Sequence, residues 1–282
     1  MTNETNLKYK LTENTLYING RCLHQIRALK PIRIGVKKGD FGGWIESEDN
    51  LSQEGKCWVY DDAKVYEHAR VYGDARITNK SVVYGNAEVF DSAVLHRSAI
   101  VFGNAKIYGH SDVSGRTRVH GNTQIYDNAS VKASMIKGGK IYGNAKINGD
   151  IMIFNNCNIY GNAFILGTGT IDNARIYENA IIEGRFYIDY NAEIKSNKDI
   201  IAISANIIDD NKSPRSSTIT MYKTSVGEPY VNIRIPTDDQ LVLINTSNSI
   251  PLSAFKENMD VEGKVNDKGR LLIESMIKYI ED

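Results

Sequence analysis

Aliphatic residues return at every sixth position through the middle of the chain, and this period most narrows what the chain can become. From Val59 the series runs through Val65, Val71, Ile77, Val83, Val89, Leu95, Val101, Ile107, Val113, Val119, Ile125 and Val131. It slips to five residues at Ile136 and Ile141, resumes from Ile147 to Ile171, slips again at Ile176 and closes at Ile182, Ile188 and Ile194. Neither the two-residue alternation of a strand nor the 3.6-residue turn of a helix produces such a step. Four residues after most anchors stands a small side chain, as at Ala63, Ala69, Ala75, Ser81, Ala87 and Ala93. A solenoid accounts for both rows. Each hexad is a short strand plus a corner, and a narrow interior admits one branched side chain per strand and only Ala, Ser or Thr near the corner. Gly-Asn, Gly-Asp and Asp-Asn pairs, in YGNA, YGDA and YDNA, supply residues tolerant of left-handed backbone at the corners. One hexad cannot bury its face alone, so coils must stack.

The residue following each anchor sets the size of a coil. Taking every third hexad from Val71 yields Tyr72, Phe90, Tyr108, Tyr126, Tyr142, Tyr160 and Tyr177, all aromatic. The series from Val59 contains one aromatic in eight, and the third, beginning at Tyr66, is half aromatic. This segregation requires three hexads per turn. The chain is therefore expected to be mainly β, a left-handed parallel β-helix of about eight triangular coils of 18 residues, roughly 38 Å long at strand spacing.

Solenoid ends expose sheet edges that need covering. Residues 1–58 read as an N-terminal hairpin and cap, with Asn19-Gly20 as the turn and Trp44 and Trp58 as plates over the first coil. The β-helix is expected over 59–208 and a polar linker over 209–217. A small α+β unit follows at 218–282, with strands in TITMYKT, YVNIRI and QLVLIN, a short helix from Ser253 and a longer one over 267–282.

Lys plus Arg and Asp plus Glu are both 34, so no bulk charge favours nucleic acid or an anionic membrane as partner. Cys22, Cys57 and Cys157 are odd in number and lack a C-x-x-C pair, which suits reduced thiols in a cytoplasmic protein. The polar N-terminus has no signal-peptide core, and no apolar run approaches a membrane span.

The stretch GGWIESEDNLSQEGKCWVYDDAKV (42–65), with its GGW, N-L-S-x-x-G and C-W-x-Y elements, is followed by VYGNA-like repeats. Over about residues 40–200 the chain resembles the YdcK-type hexapeptide-repeat proteins of bacteria and their prophages. The resemblance implies a left-handed β-helix. It also brings the acyltransferase label such proteins carry, which follows the fold alone.

Acyltransferases of this fold bind a coenzyme A thioester between neighbouring prisms and use a histidine as base. His96 and His120 follow anchors and face outward, so they are the alternative catalytic candidates; a solvated polar side chain is the plainer account of both. Residues 59–194 extrude no acceptor loop, and no metal-ligand spacing or phosphate loop occurs. Cys157 falls on a small inward position and reads as core. The seven-membered aromatic row is the candidate binding feature, with three readings: stacking within the chain, an oligomer interface, or a platform for a ligand. The expectation is a non-catalytic binding or scaffold protein without cofactor, self-associating as a homodimer or homotrimer. As a phage or prophage accessory factor it would capture a host protein or small molecule.

Overall fold

The computed structural model describes residues 7–188, 192–195, 200–203, 218–223, 229–234 and 250–251. They are almost entirely strand and turn, with a 3-10 turn over Glu48–Asn50. The chain forms two compact units, Met1–Ile147 and Asn148–Asp282.

The first unit is a parallel β-solenoid with three strand ladders. One ladder runs through Trp44–Ile45, Lys64–Val65, Val82–Val83, Ile100–Val101, Arg118–His120 and Met135–Lys137. A second joins Trp58–Val59, Arg76–Ile77, Val94–Leu95, Asp112–Val113 and Ser130–Lys132. The third joins Arg70–Val71, Glu88–Val89, Lys106–Ile107, Gln124–Ile125 and Lys140–Ile141. Anchor faces anchor across each step, as in Val71 on Val89 and Ile107 on Ile125. The five-residue slips shorten corners without breaking register, since Val119 pairs with Ile136 and Ile125 with Ile141.

Every anchor from Val59 to Ile141 is buried, as are Ala63, Ala69, Ala75, Ala87, Ala93, Ala99 and Ala105. At Ser111, Thr117 and Thr123 the hydroxyl folds back onto its own corner, Ser111 Oγ donating to Tyr108 O at 2.7 Å and Thr123 Oγ1 to His120 O at 2.6 Å, whereas the buried Ser81 hydroxyl makes no such bond. Corners start on a left-handed residue, for example Asp61, Asn79 or Asp91, each with φ near 50–58°, a conformation Asn and Asp adopt more readily than other side chains. The residue after it stacks too. Asn86 Nδ2 donates to Asn104 Oδ1, and Asn104 Nδ2 to Asn122 Oδ1, both at 3.2 Å.

The coil begins earlier than the Val59 anchor. Ile45 and Leu51 are buried anchors six residues apart, the latter bridged to Val71. Asn50 fixes the corner between them. Its buried side chain accepts from the amides of Glu46 and Ser47 and donates to the carbonyls of Glu67 and Ala69, so all four bonds of the amide are made. Ahead of this coil, β1 (Tyr9–Ile18) and β2 (Arg21–Ala28) form a hairpin about Asn19-Gly20. β2 pairs antiparallel with β3 (Phe41–Ile45), which pairs parallel with Lys64–Val65. The hairpin thus prolongs one ladder of the solenoid.

The two tryptophans, expected as paired plates, do different work. Trp58 is buried, edge-on to Tyr9 at 6.3 Å. Trp44 precedes the anchor Ile45 in its strand, so pleat alternation turns it outward, and it is only half-buried. Gly42 and Gly43 let the chain press onto Trp58 and Val59. A Cβ at Gly42 would lie 2.8 Å from the Trp58 ring, and one at Gly43 2.7 Å from Val59 Cγ1.

The second unit keeps the period with straighter corners. Asn158–Ile159, Arg175–Ile176 and Glu193–Ile194 form one parallel ladder. Phe164–Asp172 and Ile181–Ile188 pair in parallel as long strands, each crossing two hexads. Gly149, Gly167 and Gly184 stack where those corners straighten. A Cβ on Gly149 would fall on the Gly167 carbonyl and one on Gly167 on the Gly184 carbonyl, each at 1.9 Å. Phe186 takes the inward position normally held by a small residue, and Gly169 makes room for its ring.

Four further strands of this unit, Ile200–Ile203, Thr218–Lys223, Pro229–Arg234 and Ile250–Pro251, form an antiparallel sheet. The TITMYKT and YVNIRI strand assignments match two of them. The linker at 209–217, the QLVLIN strand and both C-terminal helices lie outside the described residues.

Candidate binding faces

A residue following an inward anchor points outward, and in-register stacking places its equivalents one layer apart. In the first unit Tyr72, Phe90, Tyr108, Tyr126 and Tyr142 stack in one column, successive centroids 4.8 Å apart and planes within 3°. In the second unit Tyr160 stacks on Tyr177 at 5.0 Å and 9°. Strand spacing dictates the separation, and the parallel, offset arrangement lies in the favourable range for aromatic pairs.

The row preceding the anchors on this ladder is charged or polar: Arg70, Glu88, Lys106, Gln124 and Lys140. It engages the rings. Tyr72 Oη donates to Glu88 Oε2 at 3.0 Å, Arg70 lies 5.7 Å from the Tyr72 centroid, and Lys106 pairs with Glu88 at 3.6 Å. In the second unit Tyr177 Oη donates to Glu193 at 2.7 Å while Arg175 lies over its ring. Burial, followed by the hydrogen bond to Glu88, pushes the Tyr72 phenol up to about 12. Burial, with Tyr108 and Tyr142 on either side, takes Tyr126 to about 12 as well.

These shifts carry a pH dependence. Their folded-state values lie above the ordinary 10.0, so the contribution is whole below pH 10 and disappears as pH rises toward about 12, the unfolded chain ionising first. The midpoint of urea unfolding is expected to fall between about pH 9 and pH 11. Phenylalanine at positions 72 and 126 should reduce that fall. An equal fall in the double variant would assign the loss to other groups.

Sequence reading passed over a second column. Tyr66, Tyr84, Phe102 and His120 stack at 5.2, 5.0 and 4.7 Å, with planes within 6°. The signal lay in the half-aromatic series, in which Tyr66, Tyr84 and Phe102, followed by His120, cluster at one end. What sets this face apart is its neighbouring row: after Lys64, Val82 and Ile100 stand outward and half-buried beside Tyr84 and Phe102, and Met135 follows the cation Arg118. Arg118 lies 5.8 Å from the Phe102 centroid. At the other end Arg21 bridges Glu46 at 2.8 Å and Glu67 at 3.4 Å. The first column borders a charged or polar row, whereas this one borders Val82 and Ile100 between the cations Lys64 and Arg118, so its centre has the better composition for docking.

The two candidate histidines stand on different ladders and form no common site. His96 Nε2 lies 3.1 Å from Asp112 Oδ1, one coil on along its own ladder. His120 is flat against Phe102, and burial, then Lys137 and Arg118, hold its imidazole below the usual value. Such a ring stays neutral at pH 7. Cys157 is buried with Sγ 3.0 Å from the Phe154 carbonyl, and burial pushes its thiol up to about 11. That is the wrong direction for a nucleophile at neutral pH. Among the described residues no three His, Cys, Asp or Glu side chains converge to hold a metal ion, and no helix is long and apolar enough to cross a membrane.

A family model described as the YdcK β-solenoid repeat matches residues 69–85. These residues hold the corner before Val71, the first rung Tyr72 and the second-column ring Tyr84. No curated protein matches the chain.

Proposed function

Taking residues 69–85 as a YdcK-type β-solenoid repeat, we propose that this chain is a non-catalytic binding or scaffold protein of the cytoplasm. It self-associates as a homodimer or homotrimer and serves a phage or prophage by capturing a host protein or small molecule. The observation that carries this reading is the apolar row Val82 and Ile100 beside the stacked rings of Tyr84 and Phe102. Contiguous outward apolar side chains on a rigid ladder are the usual basis of a docking face. The rings need no ordering on contact, because stacking already holds them.

A second reading draws on the His96–Asp112 contact at 3.1 Å. A carboxylate fixing an imidazole is the arrangement of a general base, and it supports a coenzyme A-dependent acyltransferase working between prisms.

One experiment separates the two. Native mass spectrometry and sedimentation are expected to show a dimer or trimer for the parent chain. Val82→Lys with Ile100→Lys should give monomers with unchanged thermal unfolding, because both side chains point away from the core. A monomeric parent overturns self-association through this face. Stoichiometric coenzyme A, or acetyl transfer lost in His96→Ala, overturns the non-catalytic reading.

A further inference from the structure

Lys8 is a buried amine in front of the first coil. Its Nζ lies 3.1 Å from Cys57 Sγ, 3.1 Å from Cys57 O and 3.2 Å from Glu54 O. Lys8 is 1% exposed and Cys57 0%. The remaining neighbours of the sulfur are the carbonyls of Ser52, Glu54 and Val71 at 3.6–3.8 Å. The backbone locks the approach, because Lys8 N donates to Gln53 Oε1 at 2.8 Å and Gln53 Nε2 donates back to Tyr9 O at 3.2 Å. The Lys8 nitrogen, donating to two carbonyls and the sulfur, is thus held directly against that sulfur.

We propose that Lys8 and Cys57 are an oxidative cross-linking pair, in which hydrogen peroxide converts the thiol into a sulfenamide with the Lys8 amine. In the first step the sulfur attacks one peroxide oxygen and the O–O bond breaks. The sulfur is oxidised to sulfenic acid, and the departing hydroxide leaves as water with the thiol proton. In the second step the neutral amine attacks the sulfur and the S–O bond breaks. The hydroxyl leaves as water with one amine proton, and an S–N bond remains. One peroxide is reduced to two waters, and the protein loses two hydrogens. Sulfenic acids condense with nitrogen in this way when one is at hand.

The geometry meets the requirement of the second step. The 3.1 Å separation lies within the range from which bound groups react. Burial holds the Lys8 amine below its usual range, which favours the neutral nucleophile. Burial pushes the Cys57 thiol up, as it does that of Cys157, so the first step needs the sulfur exposed to solvent. Lys8 immediately precedes β1, the outermost strand of its sheet, and edge strands open locally at less cost than core strands. A peroxide molecule enters during opening, and reclosure returns the amine to the oxidised sulfur. The link would then join residues 49 positions apart and staple the edge hairpin to the first coil. Cys157 supplies the comparison: it is as deeply buried, but its sulfur meets the carbonyls of Phe154 and Ile171.

The test uses the full chain carrying Cys22→Ser, so that the half-buried third thiol does not react. After hydrogen peroxide treatment, intact mass is expected to show the loss of two hydrogens. Peptide mapping should join the Lys8 and Cys57 peptides, and dithiothreitol should restore both. The urea midpoint should rise with the link and return on reduction. In Lys8→Arg the product should stop at oxygen addition, and in Cys57→Ser the link should be absent. Oxygen addition alone at Cys57 in the parent, no reaction of Cys57 in the folded chain, or the same mass loss in Lys8→Arg would each overturn the pair. The peptide map of the parent decides the matter even if a variant fails to fold.

Discussion

Gly167→Ala is expected to destabilise the second unit by about 3–5 kcal/mol, among the larger effects a single methyl group can have. The Cβ would fall 1.9 Å from the Gly184 carbonyl oxygen, and Gly167 has φ of 135°. Contact and backbone strain therefore act together, and the neighbour that must yield is backbone rather than the tip of a side chain. Relief would require Phe164–Asp172 to part from Ile181–Ile188, eight paired residues long. Hydrogen exchange should show protection lost in 164–188 while the coils of the first unit keep theirs. Gly20→Asn is the control. Its left-handed turn position has nothing within 4 Å of an added Cβ, and Asn tolerates that conformation. An intact Gly167→Ala would mean that the stacked glycines are not in close contact.

Ile107→Ala should cost about 2–5 kcal/mol. Ile107 is fully buried and lies between Val89 and Ile125 in its ladder. The anchors around it are held by backbone ladders on either side, so they move little into the space and the cost should lie in the upper part of that range. Lys106→Ala, one residue earlier and facing outward, should change the urea midpoint little, since its pair with Glu88 is solvent-screened. Coils touch only their neighbours, so exchange should accelerate first at Glu88–Val89 and Gln124–Ile125. Uniform acceleration over the whole first unit would show that its coils unfold as one block.

The six-residue step made the solenoid legible because each anchor answers to a single local demand, a branched side chain in a narrow interior. The segregation of aromatic residues into every third hexad set the number of strands per turn for a similar reason. Stacking is a consequence of register, and register follows from the period. The start of the coil was harder to see. Ile45 and Leu51 are correctly spaced, but Leu51 to Val59 is eight residues, and the irregular stretch over 52–57 that absorbs the excess has no counterpart in the repeat. Trp44 and Trp58 look alike in sequence, but only Trp58 meets Tyr9, through a hairpin that returns from forty-nine residues away. The glycine stack of the second unit is invisible in period alone, since it depends on which carbonyl lies one coil on.

The candidate site divides in the same way. Sequence singled out Tyr72, Phe90, Tyr108, Tyr126, Tyr142, Tyr160 and Tyr177, and the described rings within each unit do stack. It undervalued Tyr66, Tyr84 and Phe102, because what makes that face apolar is the adjacent row of Val82 and Ile100. Those two residues are one strand position from buried anchors and read as ordinary β-formers until a register turns them outward.

Sequence by itself determined the parallel coil, its three strands per turn and the columns of rings, since these follow from short-range spacing repeated along the chain. Tertiary structure alone decided which column has an apolar neighbour, which tryptophan is covered, and that Lys8 meets Cys57 across forty-nine residues. The physical reason is separation. A repeat specifies its own next layer, whereas contacts between a cap and a coil depend on a path through space that no local period encodes.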